Sequence, residues 1–129
     1  MTQTIDRDTR TASTIAAVEA FHAAMNRHDV DGAMNCMTDD VIFETTLPPP
    51  DGERFEGQAA VRAFWERFFH GARDQRFETE EIFAAGDRCT VRWLYTWIGP
   101  EGEPGHVRGV DVFRVRDGKV AEKLSYVKG

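Results

Sequence analysis

In the stretch GVDVFRVRDGK, Gly109 to Lys119, a run of valine and phenylalanine carries one carboxylate near its centre, Asp111. Strand alternation puts Asp111 on one face with Val107, Gly109, Phe113 and Val115. Arg108, Arg114 and Arg116 share the other face with Val110 and Val112. An arginine-rich face meets solvent or a second subunit, so Asp111 is expected to look inward. A carboxylate there must be paired, hydrogen-bonded, protonated or open to a wet cavity. Its chemistry would be proton transfer or the anchoring of a ligand. Gly109 beside it removes side-chain bulk and lets another group approach the backbone.

The partner of Asp111 depends on the turn that follows. A two-residue turn, Asp117-Gly118, sets Asp111 opposite Leu124, and Val120, Leu124 and Tyr126 then turn inward. A three-residue loop, Arg116-Asp117-Gly118, sets it opposite Lys123, and Ala121, Lys123 and Ser125 turn inward. A slip of one residue turns the whole last strand over.

Other reactive side chains offer less. His22 lies on a helical stripe, where it could line a cavity and relay protons, although a histidine bonded to backbone is the commoner outcome. His28 sits in a turn. No histidine pair has metal-ligand spacing, and DVDG lacks the rest of a calcium loop. No GxSxG or Cys-His arrangement marks a covalent nucleophile. Cys36 and Cys89 sit in apolar patterns and are expected to be free thiols. Trp65, Trp93, Tyr95 and Trp97 could wall a ligand site or serve as plain core.

The elements that must position these residues follow from periodicity. Ser13 to Arg27 carries Ile15, Val18, Phe21, His22 and Met25 at helical spacing. Asp29 can cap a second helix bearing Val30, Ala33, Met34 and Met37. Val41, Ile42 and Phe43 form a strand, and LPPPDGERFEG reads as a loop. A third helix after Gly57 carries Val61, Phe64, Trp65 and Phe68 and ends at Gly71. Beyond Asp74 the chain reads as four strands joined by turns. Helices first and strands after is an α+β order, with one curved antiparallel sheet wrapped on the helices. The 129 residues suit a single domain, with residues 1–12 expected to be a flexible tail. A net charge of −6 disfavours nucleic acid and anionic membranes as partners. The polar start MTQTIDRDTRTAS and the absence of a long apolar run suggest a cytoplasmic protein.

The segments AAMNRHDVDGAMNCMTDDVIFE, FEGQAAVRAFW and GVDVFRVRDGKVAEKLSY resemble the nuclear transport factor 2-like superfamily, in particular its SnoaL-like and ketosteroid isomerase-like branch. The resemblance covers about Ser13 to Lys128. It implies a conical α+β barrel with a deep apolar cavity, a homodimer, and a small apolar ligand. Asp111 matches the oxyanion-hole aspartic acid of the ketosteroid isomerases, but their tyrosine falls at Phe21 and their general base at or near Thr45, with Glu44 the nearest carboxylate. Steroid isomerisation is therefore disfavoured. Epoxide hydrolysis is disfavoured too: an arginine could match Arg92, but the two aspartates fall at Leu94 and Ser125. The last strand of the relatives points the residues matching Lys123 and Ser125 into the cavity, which selects the register with Lys123 opposite Asp111. The resemblance thus implies Asp111 and Lys123 as catalytic pair, and Phe21, Met25, Phe43, Thr45, Trp65, Trp93, Tyr95, Trp97 and Ser125 as ligand-binding. The expected activity is that of a cofactor-independent lyase, isomerase or cyclase acting on a small carbonyl or cyclic compound. A non-catalytic binding protein or a dimeric structural module is the alternative.

Overall fold

The structure, a computed structural model, describes residues 2–129, with side chains described from Asp8 onward. Three helices precede most of the sheet: α1 (Thr2–Asn26), α2 (Val30–Asn35) and α3 (Gln58–His70). The strands are β1 (Met37–Glu44), β2 (Arg54–Glu56), β3 (Arg73–Ala85), β4 (Arg88–Ile98), β5 (Pro104–Arg116) and β6 (Lys119–Val127). This is the expected α+β order. The sheet runs β2-β1-β6-β5-β4-β3 and is open, not closed into a barrel. It is also mixed: β1 lies parallel to β6, because the chain leaves β1 at one edge region and returns through the whole meander before β6 docks beside it. An all-antiparallel sheet was the expectation, and local alternation carries no information about that distant pairing.

Three boundaries differ from the sequence reading. The first helix begins at Thr2, not Ser13, so residues 2–12 continue it in place of the expected tail; Met1 lies outside the described residues. Side-chain bonds account for part of this extension. Thr11 Oγ1 accepts from the Gly86 N–H (2.9 Å) and Thr14 Oγ1 donates to the Gly86 carbonyl (2.7 Å), which ties the helix to the β3–β4 turn. Arg54–Glu56, read as loop, forms a short edge strand on β1. Met37 opens β1 instead of closing α2. The cap of α2 is as expected, with Asp29 Oδ1 accepting from the Gly32 N–H at 2.9 Å.

The core lies between α1, α3 and the concave face of the sheet. Val18, Phe21, Ala24 and Met25 of α1 and Val61 and Trp65 of α3 are buried against Phe43, Val91, Trp93 and Phe113 of the strands. Gln58 closes the start of α3 by donating from Nε2 to the carbonyls of Met34, Met37 and Thr38. The two cysteines are unbridged, Cys89 buried and Cys36 half-buried, and burial raises the thiol pKa of both. No helix of the described residues is long and apolar enough to cross a membrane.

Candidate functional site

The β5–β6 hairpin decides where the charged residues meet. Its turn is Asp117-Gly118, with both residues in the left-handed region (φ 54° and 75°), and Arg116 pairs with Lys119. This is the two-residue turn. Yet Asp111 does not pair with Leu124. The ladder shifts between Arg114 and Val115, where Val115 faces Val120 and Arg114 faces Glu122, so Ala121 is the extra residue of a bulge. Val120 and Ala121 are accordingly both buried. Beyond the bulge the strand faces are exchanged, and Asp111 pairs with Ser125 while Phe113 pairs with Lys123. Lys123 and Ser125 therefore do turn inward, but the register with Lys123 directly opposite Asp111 is not formed. The lysine lies on the diagonal and reaches back along the strand.

The result is an ion pair in the interior. Lys123 Nζ stands 3.0 Å from Asp111 Oδ2, with side-chain exposures of 9% and 4%. These two are the charged side chains among the buried described residues. The ammonium also donates to Ser125 Oγ at 2.9 Å. Its remaining side faces aromatic rings, 4.6 Å from the Phe43 centroid and 5.4 Å from that of Trp65. The parallel pairing of Phe43 with Lys123 creates this contact. Cation–π attraction, the opposite charge of Asp111 and the hydrogen bond to Ser125 together offset the removal of the ammonium from water. Asp111 is less well served. Its second oxygen, Oδ1, is buried and has no partner among the described residues.

A cavity of about 30 Å³ borders this pair. Phe21, His22, Met25, Trp65, Trp93 and Phe77 enclose it, with Thr79, Asp111 and Lys123 completing the wall. The space is of the order of one or two water molecules, far from the deep cavity expected. His22 is half-buried at its edge and packs edge-on to Phe113 at 5.6 Å. Burial lowers its pKa to about 4; the Lys123 charge lowers it further and the Asp111 charge opposes the shift. At neutral pH it is therefore an uncharged imidazole with one donor and one acceptor nitrogen.

The remaining residues expected to bind ligand divide by position. Phe21, Met25, Trp65 and Trp93 line the cavity, and Phe43 lies beneath the ammonium. Thr45 does not reach it. Its hydroxyl donates to the Leu47 carbonyl and accepts from the Glu53 N–H, both at 2.9 Å, and so braces the proline-rich loop. Tyr95 and Trp97 stack on each other 4.9 Å apart, away from the cavity, and the Tyr95 hydroxyl accepts from Gln75 Nε2. Phe77 and Thr79 were not singled out from sequence. Their signal was the register of β3, since they pair with Tyr95 and Trp93 and point the same way. Among the described residues no group of three His, Cys, Asp or Glu side chains could hold a metal ion.

A family model described as SnoaL-like domain matches residues 18–123. A nuclear transport factor 2-like protein of unknown function from Mesorhizobium loti is 35% identical, with 93% of this chain and 94% of that one covered and a TM-score of 0.78. A putative polyketide cyclase from Xanthomonas campestris pv. campestris is 23% identical over 92% and 93% of the two chains, with a TM-score of 0.77. A protein of ketosteroid isomerase-like fold from Catenulispora acidiphila, in complex with trimethylamine, is 16% identical over 85% and 83%, with a TM-score of 0.77. The last two likenesses are of fold. No functionally curated protein matches the sequence.

Proposed function

The chain belongs to the SnoaL-like domain family, and we propose that it binds a small molecule between α1 and the sheet and moves a proton on it without a cofactor, as a lyase, isomerase or cyclase. Asp111 is the acid–base group and Lys123 its charge partner. The observation that carries the reading is the buried Asp111–Lys123 pair whose free carboxylate oxygen belongs to a residue of the cavity wall. A buried charge pair seldom improves stability over apolar packing of the same volume, so its presence in the interior favours use over structure. Among the described residues Asp111 is also the one carboxylate lining the cavity, which makes it the base available to a molecule held there. The uncharged His22 in the same wall offers a hydrogen bond beside it, while Ser125, outside the wall, accepts from Lys123. A neighbour of the same fold carries trimethylamine, which agrees with a ligand of few atoms.

The narrowness of the cavity favours a second reading, a binding or structural module with a filled interior. Half-buried Val110, Val112 and Leu124 line the outer face of the sheet among arginines, which supports a homodimer through that face. Native mass spectrometry of protein taken directly from its host identifies the occupant. That compound, offered to the wild type and to Asp111→Asn, is expected to be converted by the first and not by the second. Binding without conversion by the wild type would assign the chain to the second reading.

A further inference from the structure

Two of the three tryptophans have a polar peculiarity. The indole N–H groups of Trp65 and Trp93 are buried and have no hydrogen-bond partner among the described residues. Their side chains are 2% and 7% exposed. Buried indole N–H groups ordinarily find an acceptor, because losing water without replacing it is costly. Both tryptophans line the cavity that Asp111 lines, and Asp111 Oδ1 is an unpartnered acceptor. One small space is thus bordered by two residues with an unused donor and one with an unused acceptor.

The charges around that space are already balanced. Asp111 and Lys123 cancel, and His22 is uncharged at neutral pH. A charged ligand would enter without a counter-charge of its own, since the ammonium is held by Asp111, Ser125 and two aromatic faces. The volume of about 30 Å³ restricts the occupying group to a few heavy atoms.

We propose that Trp65 and Trp93 act as hydrogen-bond donors to the ligand, and that the site selects a small neutral group that accepts from an indole N–H while donating to the free oxygen of Asp111, as a primary carboxamide or a hydroxy-ketone does. The inference rests on the small-molecule reading of the cavity and is independent of whether the bound compound is converted. It changes the role of the two tryptophans from apolar wall to determinants of specificity.

The chain has three tryptophans, so nitrogen-15-labelled protein shows three indole N–H resonances. Trp65→Phe, Trp93→Phe and Trp97→Phe assign them, and Trp97, outside the cavity wall, is the internal reference. Acetamide, which donates and accepts, is expected to move the Trp65 and Trp93 resonances saturably and leave Trp97 in place. Acetone accepts but cannot donate, and should need at least about tenfold more for the same displacement, the loss expected for one hydrogen bond to a charged acceptor. Acetate should leave all three resonances unmoved. The proposal is overturned if acetamide moves neither cavity resonance, if Trp97 moves with them, or if the three probes act alike. A host ligand converted by the wild type with both indole resonances untouched would remove this inference alone. Displaced indole resonances with a ligand that is never converted would remove the catalytic reading alone.

Discussion

The two faces of the sheet carry the same kind of ion pair in opposite surroundings. On the convex face Arg108 meets Glu80 at 3.2 Å, Arg92 meets Glu81 at 3.1 Å, and Arg114 lies 3.9 Å from both Asp87 and Glu122. Water screens those pairs, and each contributes at most about 1 kcal/mol. On the concave face one pair, Asp111 with Lys123, sits among Phe43, Trp65 and Trp93. There neither charge can be abandoned to solvent. Adjacent residues of a single strand, Val110 and Asp111, look into these two environments, so the position along the strand decides what a carboxylate is for. Outside it tunes the surface; inside it must be matched by an opposite charge.

The sharpest way to break the comparison is to remove each partner of the inner pair in turn. Asp111→Asn leaves the Lys123 ammonium without its counter-ion, and Lys123→Met leaves the carboxylate stranded. Each is expected to destabilise the fold by about 3–5 kcal/mol. The double variant should recover most of that loss, so the cycle measured by urea denaturation shows strong coupling. Additive losses would mean that the two side chains act independently.

The next effect is one of pH. The His22 pKa is lowered from 6.5 to about 4 in the folded protein. Below 6.5 the unfolded chain takes up a proton that the folded chain refuses. This contribution to stability is therefore whole above pH 6.5, is lost as pH falls from 6.5 towards 4, and levels off below. It amounts to up to about 3 kcal/mol. His22→Gln should abolish that part of the pH dependence, read as the difference between the two proteins' denaturation midpoints at pH 7 and pH 4.5. Parallel pH profiles would show that His22 titrates normally.

Smaller losses are expected away from the interior. Asp29→Ala removes the cap of the six-residue α2 and should cost about 1 kcal/mol, with a thermal shift that salt barely alters. Arg108→Gln removes an exposed pair and should cost less than about 1 kcal/mol, with the difference fading as salt is raised. If Arg108→Gln matched Asp111→Asn in cost, the contrast between the two faces would fail.

Much of this was legible along the chain. The 3.6-residue stripe through Val18, Phe21 and Met25, the caps at Asp29 and Gly57, and the alternation of β4 and β5 are local properties, and each is set by residues within a turn or two of one another. The inward direction of Asp111 followed from the same alternation. Its family resemblance drew on the same segments and is matched by the SnoaL-like domain over residues 18–123. Arg54–Glu56 was missed because three residues show no period, and they form a strand only by pairing with β1.

What tertiary structure decided lies in the pairing between elements. Asp117 and Gly118 encode the turn, and read alone they turn Leu124 inward. The bulge at Ala121 overrules them and carries Lys123 and Ser125 to the cavity side. Val120 is buried and its N–H donates to the Cys36 carbonyl at the end of α2 (2.8 Å), which holds the bulge in place. The parallel docking of β1 beside β6 sets Phe43 under the ammonium, and α3 adds Trp65. Sequence alone therefore determined which residues could carry chemistry and which way Asp111 faced, because steric alternation acts between neighbours. The partner, the aromatic box and the size of the cavity were settled by contacts between residues far apart in the chain, whose energies are summed only when the whole sheet closes over the helices.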